Sequence, residues 1–376
     1  ESGVKFEDYG IYTQVEQLNK TALKSHGLDS NGQLYKINSF EFYRYEDIIK
    51  KEDDAGYDKT AFEKMLEIKG DSDHTKLIDM LTDLNDYSIG IEDVLKEHFD
   101  EENIVYWMAF QILMGNVDTQ NRNVYLYSPL NSDIWYFIAW DNDGCLMRPE
   151  YELRNFSDQN SWEKGISNYW GNILFQRCLK SRSFREKLND AILDLREYLN
   201  KDMLTSKIES YKNVLKPYLY LMPDAEYEPL TSEQYDQIAA SLPDEIEKNY
   251  QLYLESLETP MPFYIGVPTI DGDKLKFNWD VSYDLDAEDI TYSVEVARDY
   301  LFQDVIYQNT TLTVPEAEMD LPNAGQYFVR VRATNTSGKT QDAFDYYVTD
   351  EGKHYGMKCF YITEDSTVEE DDYEEG

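Results

Sequence analysis

The stretch Tyr106–Cys145, YWMAFQILMGNVDTQNRNVYLYSPLNSDIWYFIAWDNDGC, decides the fold because it reads as a helix, a polar loop and two strands in succession. Apolar residues at the spacing of a buried helix face run over Val105–Leu113, and Gly115 ends that helix. Alternation predicts a strand over Val124–Tyr127, and a second strand over Ile134–Trp140 runs directly into an acidic turn. The pattern therefore predicts two polar segments held at the ends of rigid elements.

Those two polar segments contain the residue types that phosphoryl transfer needs. Asp118 and Asn123 lie in the loop with the spacing D-x-x-x-x-N, and Asp141 and Asp143 lie in the turn. Such a reaction uses one carboxylate to orient the attacking hydroxyl, and an amide oxygen with a second carboxylate to hold Mg²⁺. Protein kinases place these groups on a similar loop, strand and turn. The spacing alone also occurs by chance, and a loop Asp is more often a cap or turn residue.

The same stretch resembles the kinase-like family of spore coat protein H (CotH). The resemblance is carried by the Gly-Asn-x-Asp loop at the helix end, the N-x-Y-L-Y strand and the W-D-x-D turn. Further similarity lies in DYGIYTQVEQLNK at 8–20, in GQLYK at 32–36, and in the helical region 174–223 with its SFR turn at 183–185. It covers roughly residues 1–258.

The resemblance implies an α+β fold with an atypical protein-kinase-like domain and a helical C-terminal lobe, in which some N-terminal strands of the nucleotide lobe are missing. It implies that Asp118 is the catalytic carboxylate, that Asn123 and Asp141 are metal ligands, and that Asp143 is a further acid of the same turn. The implied activity is transfer of the ATP γ-phosphate to Ser or Thr of a protein, with Mg²⁺ or Mn²⁺, by a secreted or cell-surface bacterial kinase.

A kinase also needs a Lys for the nucleotide phosphates and a Glu that holds this Lys. The alternating stretch Gly10–Gln17 predicts a strand that carries Glu16, and Asn31–Gly32 predicts a turn into a strand that carries Lys36. Lys36 and Glu16 are therefore the predicted cofactor-binding pair. The alternative is an ordinary cross-strand ion pair or two surface charges.

Composition limits the classes of partner. The chain of 376 residues has a formal net charge of -39, which argues against binding to nucleic acid backbones or anionic membranes. A basic or Ser-rich protein substrate and divalent cations fit this charge, although most of it is expected to be solvated surface. No apolar run is long enough to span a bilayer. The three cysteines, Cys145, Cys178 and Cys359, form no metal-binding motif, and buried free thiols are favoured over a disulfide.

The hydrophobic period changes beyond the Pro-rich joint Thr259–Pro262, from about 3.6 to 2. Strands are predicted over Lys274–Trp279, Thr291–Ala297 and Gln326–Thr334, the pattern of an immunoglobulin-like sandwich. The segment 321–339 resembles a fibronectin type III domain, with Tyr327 as a tyrosine corner. The predicted domains are thus 1–258 (kinase-like), 259–363 (β-sandwich) and 364–376 (acidic disordered tail).

Two other functions are consistent with the residues. The first is a non-catalytic surface adhesion or scaffold module with a degenerate kinase-like site. The second is a metal-dependent hydrolase that would use Asp118, Asp141 and Asp143 as ligands.

Overall fold

The computed structural model describes residues 9–154, 160–350 and 352–370, and these divide into two compact units. The first contains the described residues up to 154 together with 172–250, and the second contains 160–171 and the residues from 251 onward. The first is mixed helix and sheet with helices predominant, and the second contains a β-sandwich. The division lies a few residues before the predicted boundary at 258, and the second unit also includes a segment from the middle of the chain.

The first unit contains a four-stranded antiparallel sheet in the order β2-β1-β3-β4. Its strands are β1 (Gln33–Ile37), β2 (Leu66–Ile68), β3 (Val124–Ser128) and β4 (Tyr136–Ala139). The strand predicted over Gly10–Gln17 is wrong, because residues 9–18 form no strand and pair with none. Alternation made this stretch look like a strand, but Tyr12 and Val15 are exposed and give it no buried face.

The helices of the first unit surround this sheet. They are α1 (Lys20–Ser25), α2 (Lys59–Met65), α3 (Thr75–Asn85), α4 (Ile91–His98), α5 (Glu101–Met114), α6 (Arg148–Leu153), α7 (Ile173–Lys180), α8 (Arg182–Tyr198), α9 (Lys201–Leu219) and α10 (Ser232–Ser241), and α11 (Glu245–Leu257) follows. Helix α2 ends at Met65, because Leu66–Ile68 pairs with β1 as β2.

Helix α5 is the central helix that the sequence predicts. The Asp100 side chain caps its start by accepting from the backbone N–H of Asn103. Gly115 ends it in the left-handed conformation, at φ 62°, where glycine carries no Cβ penalty. Ile104, Met108 and Leu113 are among its fully buried or nearly fully buried side chains. Because these side chains are closely packed, the C-terminal end of α5 is held in place, and the loop that contains Asp118 begins there.

The second unit is a β-sandwich of two sheets around one core. The larger sheet has the order β15-β14-β10-β7-β8 with β11 on β10, and the smaller has the order β5-β6-β9. A separate hairpin pairs β12 with β13. The strands are β5 (Thr269–Asp271), β6 (Lys274–Asn278), β7 (Ile290–Ala297), β8 (Val305–Leu312), β9 (Glu316–Asp320), β10 (Gly325–Asn335), β11 (Thr340–Asp342), β12 (Tyr346–Thr349), β13 (Gly352–Tyr355), β14 (Met357–Ile362) and β15 (Val368–Glu370).

Two aromatic residues of the predicted strands, Trp279 and Tyr327, lie in the sandwich core. Trp279 is 5% exposed and packs against Tyr292, and the Tyr327 hydroxyl donates to the carbonyl of Asn323 at 2.8 Å. The predicted disordered tail is wrong in part, because Val368–Glu370 pairs with β14 as β15. Residues 371–376 of that tail lie outside the described residues.

Two further observations concern the whole described chain. Within residues 9–154, 160–350 and 352–370, no helix combines the length and the apolar character that crossing a bilayer requires. Cys145, Cys178 and Cys359 are free thiols. Burial is the main cause that raises the pKa of Cys145, to about 12, so this thiol is protonated at neutral pH.

Candidate functional site

Asp118 and Asn123 are in direct contact at the two ends of the loop between α5 and β3. Asn123 Nδ2 donates to Asp118 Oδ2 at 2.7 Å and to the Asp118 carbonyl at 3.1 Å. Because both of these partners can only accept, the Asn123 amide is oriented with its Oδ1 directed elsewhere. The other carboxylate oxygen, Asp118 Oδ1, is 3.0 Å from Arg122 Nε, in a half-exposed ion pair. The loop therefore presents a carboxylate and an amide oxygen together.

The acidic turn follows β4 directly, as the sequence predicts. Asp141 has φ 54° and begins a single 3-10 turn over Asn142–Gly144. Asn123 has a similar backbone, with φ 57°. Left-handed backbone at a residue other than glycine is uncommon and concentrates at functional positions, although Asn and Asp tolerate it best. Asp141 and Asp143 are both exposed to solvent.

The structure brings the loop and the turn together. β3 pairs with β4 so that Val124, directly after Asn123, lies opposite Ala139, two residues before Asp141. A Cβ added at Gly144 would lie 2.7 Å from Asn116 Oδ1 and 4.0 Å from Asp118 Cβ. The two predicted segments thus form one local site.

Lys36 lies on β1, and Glu16 lies elsewhere. In the sheet register, Lys36 is directly opposite Tyr125 of β3 and Glu67 of β2. Glu16 is in the segment without regular structure, where its Oε2 is 2.7 Å from His26 Nε2. The expectation that Glu16 and Lys36 lie on adjacent strands is therefore wrong, and Glu67 is the acid opposite Lys36. Only the strand register identifies Glu67, so sequence reasoning missed it.

The oxygen-rich character of the site suits Mg²⁺ or Mn²⁺. Mg²⁺ is commonly bound by one or two carboxylates together with substrate phosphates, not by a cage made only of protein. Asn123 Oδ1 and the exposed carboxylates of Asp141 and Asp143 are hard donors of this kind. In the described part of the chain, no three His, Cys, Asp or Glu side chains form a metal-holding group. In this structure the Asp118 carboxylate contacts Arg122 and Asn123.

Two buried amides and an exposed amide of the acidic turn were not singled out from the sequence. Gln111 is fully buried on α5, Asn116 is 2% exposed, and both contact Asn142. The only signal in the sequence is a Gln on an otherwise apolar helix, and this does not reveal its partners.

Part of this chain is similar to a family of known proteins. The model of the family described as CotH kinase protein matches residues 3–253. No curated protein matches the chain. Among solved structures, the twitchin kinase region from C. elegans is 15% identical with a TM-score of 0.19, covering 25% of this chain and 20% of that one. The surface layer protein SbsC, domains 1–6, is 11% identical with a TM-score of 0.15, covering 88% of this chain and 41% of that one. TM-scores this low do not establish a shared fold.

Proposed function

The chain belongs to the CotH kinase protein family, and from that premise we propose that it transfers the γ-phosphate of ATP to Ser or Thr hydroxyls of a protein substrate. The observation that carries the proposal is the contact of 2.7 Å between Asn123 Nδ2 and Asp118 Oδ2, beside the acidic turn. This contact leaves one oxygen of Asn123 for a cation and keeps the Asp118 carboxylate at the same point.

In the proposed reaction, Asp118 accepts the proton of the attacking hydroxyl as its oxygen forms a bond to the γ-phosphorus. The bond from that phosphorus to the bridging oxygen breaks, and ADP leaves with the electron pair. A bound Mg²⁺ or Mn²⁺ would neutralise phosphate charge. Asn123 and Asp141 are the residues proposed to hold the cation, with Asp143 nearby, and Lys36 is proposed to contact the phosphates.

The strand register supports that proposal for Lys36, because β1 is paired with β3, which begins directly after Asn123. Its cross-strand neighbour Tyr125 is two residues beyond Asn123. We assign to Glu67, in place of Glu16, the role of holding Lys36. Glu67 Oε1 is also 2.5 Å from Lys69 Nζ, so it would serve two cations.

We further propose that the β-sandwich is a fibronectin type III-like module and that the protein acts outside the cell or on its surface. The hydrogen bond from the Tyr327 hydroxyl to a carbonyl four residues upstream supports the first proposal, because it is the contact of a tyrosine corner. Family membership is the support for the second. The acidic balance of the chain, with a net charge of -39, favours a basic or Ser-rich substrate.

Nucleotide binding and transfer test the proposal separately. ATP with Mn²⁺ is expected to raise the melting temperature of the wild type, by a stabilisation of about 2.7 kcal/mol at a hundred times the dissociation constant. The Asp141→Ala variant is expected to lose this shift. The Asp118→Ala variant is expected to keep the shift and lose transfer of radiolabelled phosphate. No shift in the wild type would refute the kinase proposal and favour the adhesion or scaffold function.

A further inference from the structure

We propose that three amide side chains, Gln111, Asn116 and Asn142, form a bridge that sets the spacing between the Asp118 loop and the Asp141 turn, and that they are positioning residues for the metal-nucleotide complex. This amide bridge rests on the proposed function, since it concerns the affinity of the same site. None of the three side chains is proposed to contact the cation or ATP.

The amide bridge connects helix α5 to both polar segments of the site, the Asp118 loop and the Asp141 turn. Gln111, which is fully buried on α5, donates from Nε2 to Asn142 Oδ1 at 3.1 Å and accepts at Oε1 from Asn116 Nδ2 at 3.0 Å. Asn116 Nδ2 also lies 3.5 Å from Asn142 Oδ1. Asn116 Oδ1 in turn accepts from the backbone N–H of Asp118 at 3.4 Å. A continuous set of hydrogen bonds therefore runs from the turn through the helix to Asp118.

The direction of each bond is fixed by the others. If the Gln111 amide were rotated by 180°, its oxygen would face Asn142 Oδ1 and its NH₂ group would face Asn116 Nδ2, so both bonds would be lost. A buried amide group left without a partner destabilises the folded state. The bridge is thus a single arrangement with a defined geometry, which is the property that a positioning element needs.

The backbone around the bridge leaves it little room to adjust. Gly144 of the turn lies so close to Asn116 that an added Cβ would be 2.7 Å from Asn116 Oδ1. The backbone N–H of Leu146 donates to the Met114 carbonyl at 2.8 Å, which ties the end of the turn to the end of α5. The turn can therefore move relative to Asp118 only by breaking these contacts.

The test measures the affinity of the full-length protein for Mn²⁺ with a non-hydrolysable ATP analogue, by water-proton relaxation enhancement. Gln111→Met removes the buried amide group of the bridge, and Asn142→Ala removes its exposed amide group. Each is expected to weaken binding of the Mn²⁺–nucleotide complex by about tenfold or more, the usual effect of losing a supporting partner of a metal ligand. Gln341→Met, which removes a buried amide of the second unit, is the matched control and should change the affinity by less than about twofold.

The double variant Gln111→Met with Asn142→Ala separates positioning from a general loss of stability. Because both changes remove the same contact, the double variant should bind no more than about twofold more weakly than the weaker single variant. The inference is overturned, while the proposed function stands, if the two losses of affinity multiply in the double variant. It is also overturned if the affinity is unchanged and only the melting temperature falls. If the wild type does not bind the Mn²⁺–nucleotide complex, the proposed function fails and the inference fails with it. Gly144→Ala, which presses on Asn116 from the turn, should reproduce the loss if Gln111→Met does not fold.

Discussion

Replacing Asp118 by Asn should abolish phosphoryl transfer while leaving the protein folded. The substitution keeps the size of the side chain and one oxygen, which can still accept from Asn123 Nδ2, 2.7 Å away. It removes the negative charge that pairs with Arg122 and the site that would receive the proton of the substrate. The two consequences can be estimated separately from the structure.

The stability cost should be small. The ion pair between Asp118 and Arg122 joins side chains that are 49% and 50% exposed. Pairs of this kind contribute about 0–1 kcal/mol to the free energy of unfolding. At roughly 2–4 °C per kcal/mol for a unit of this size, the melting temperature should fall by no more than about 4 °C. The transfer rate should fall by about 10²–10⁴-fold, which is the contribution of a positioned general base.

The assay pairs initial rates of radiolabelled phosphate transfer from ATP with a thermal melt of the same preparation. The reasoning is refuted if the transfer rate of Asp118→Asn stays within about tenfold of the wild-type rate, because loss of the general base should reduce the rate by more than this. It is equally refuted if the melting temperature falls by more than about 10 °C. Asp118 would then contribute much more to the stability of the loop than a half-exposed ion pair does.

Three further substitutions test the packing. Gly115→Ala should destabilise by at least about 1–2 kcal/mol in urea unfolding, since it puts a side chain at φ 62° and its Cβ would lie 2.7 Å from Asn249 Nδ2. Burial lowers the pKa of His74 below its ordinary 6.5, so the unfolded chain binds a proton more readily than the folded one. The stability of the fold should therefore fall as the pH drops below about 6.5. His74→Gln should flatten this part of the profile of melting temperature against pH. Tyr327→Phe should cost about 1 kcal/mol in urea unfolding, because the bond to the Asn323 carbonyl is lost.

Each of these substitutions has a control in the same chain. Gly27 also has a positive φ, 73°, but nothing lies within 4 Å of an added Cβ, so Gly27→Ala measures backbone strain without a clash. If it costs as much as Gly115→Ala, contact with the neighbouring amide is unimportant. His26 has a side chain that is 60% exposed, so His26→Gln measures the effect of the same replacement at the surface. Tyr12 is 75% exposed, so a loss of stability in Tyr12→Phe would contradict the role of the buried hydroxyl.

The sequence predicted those parts of the fold and site that depend on local pattern. Helix α5 ends at Gly115 as predicted, and the predicted β3 and β4 pair side by side. Local pattern cannot reveal a partner that is distant in the chain. The stretch around Glu16 alternates like a strand but forms no strand, and Leu66–Ile68 follows α2 directly but pairs with β1 as β2.

The same reason explains the missed site residues. The pairing of Lys36 with Glu67 depends on strand register, and the amide bridge depends on how α5 meets the turn. A Gln in an apolar helix is visible in the sequence, but the Asn116 and Asn142 side chains that satisfy it are known only once the chain is folded. The positions of single residues in helices, strands and turns were therefore easier to predict than the contacts between them.

The segment 160–171 affects how the protein matures during synthesis. Its Ser161 hydroxyl accepts a hydrogen bond from Gln341, a partner 180 residues further along, and Trp162 packs on Phe344. At the usual 5–20 residues per second, a nascent chain would wait roughly 10–40 s after making this segment before its partners emerged. During that interval Phe344, on which Trp162 packs, has not yet been synthesised. The second unit can therefore complete these contacts only after the chain has been synthesised past Phe344.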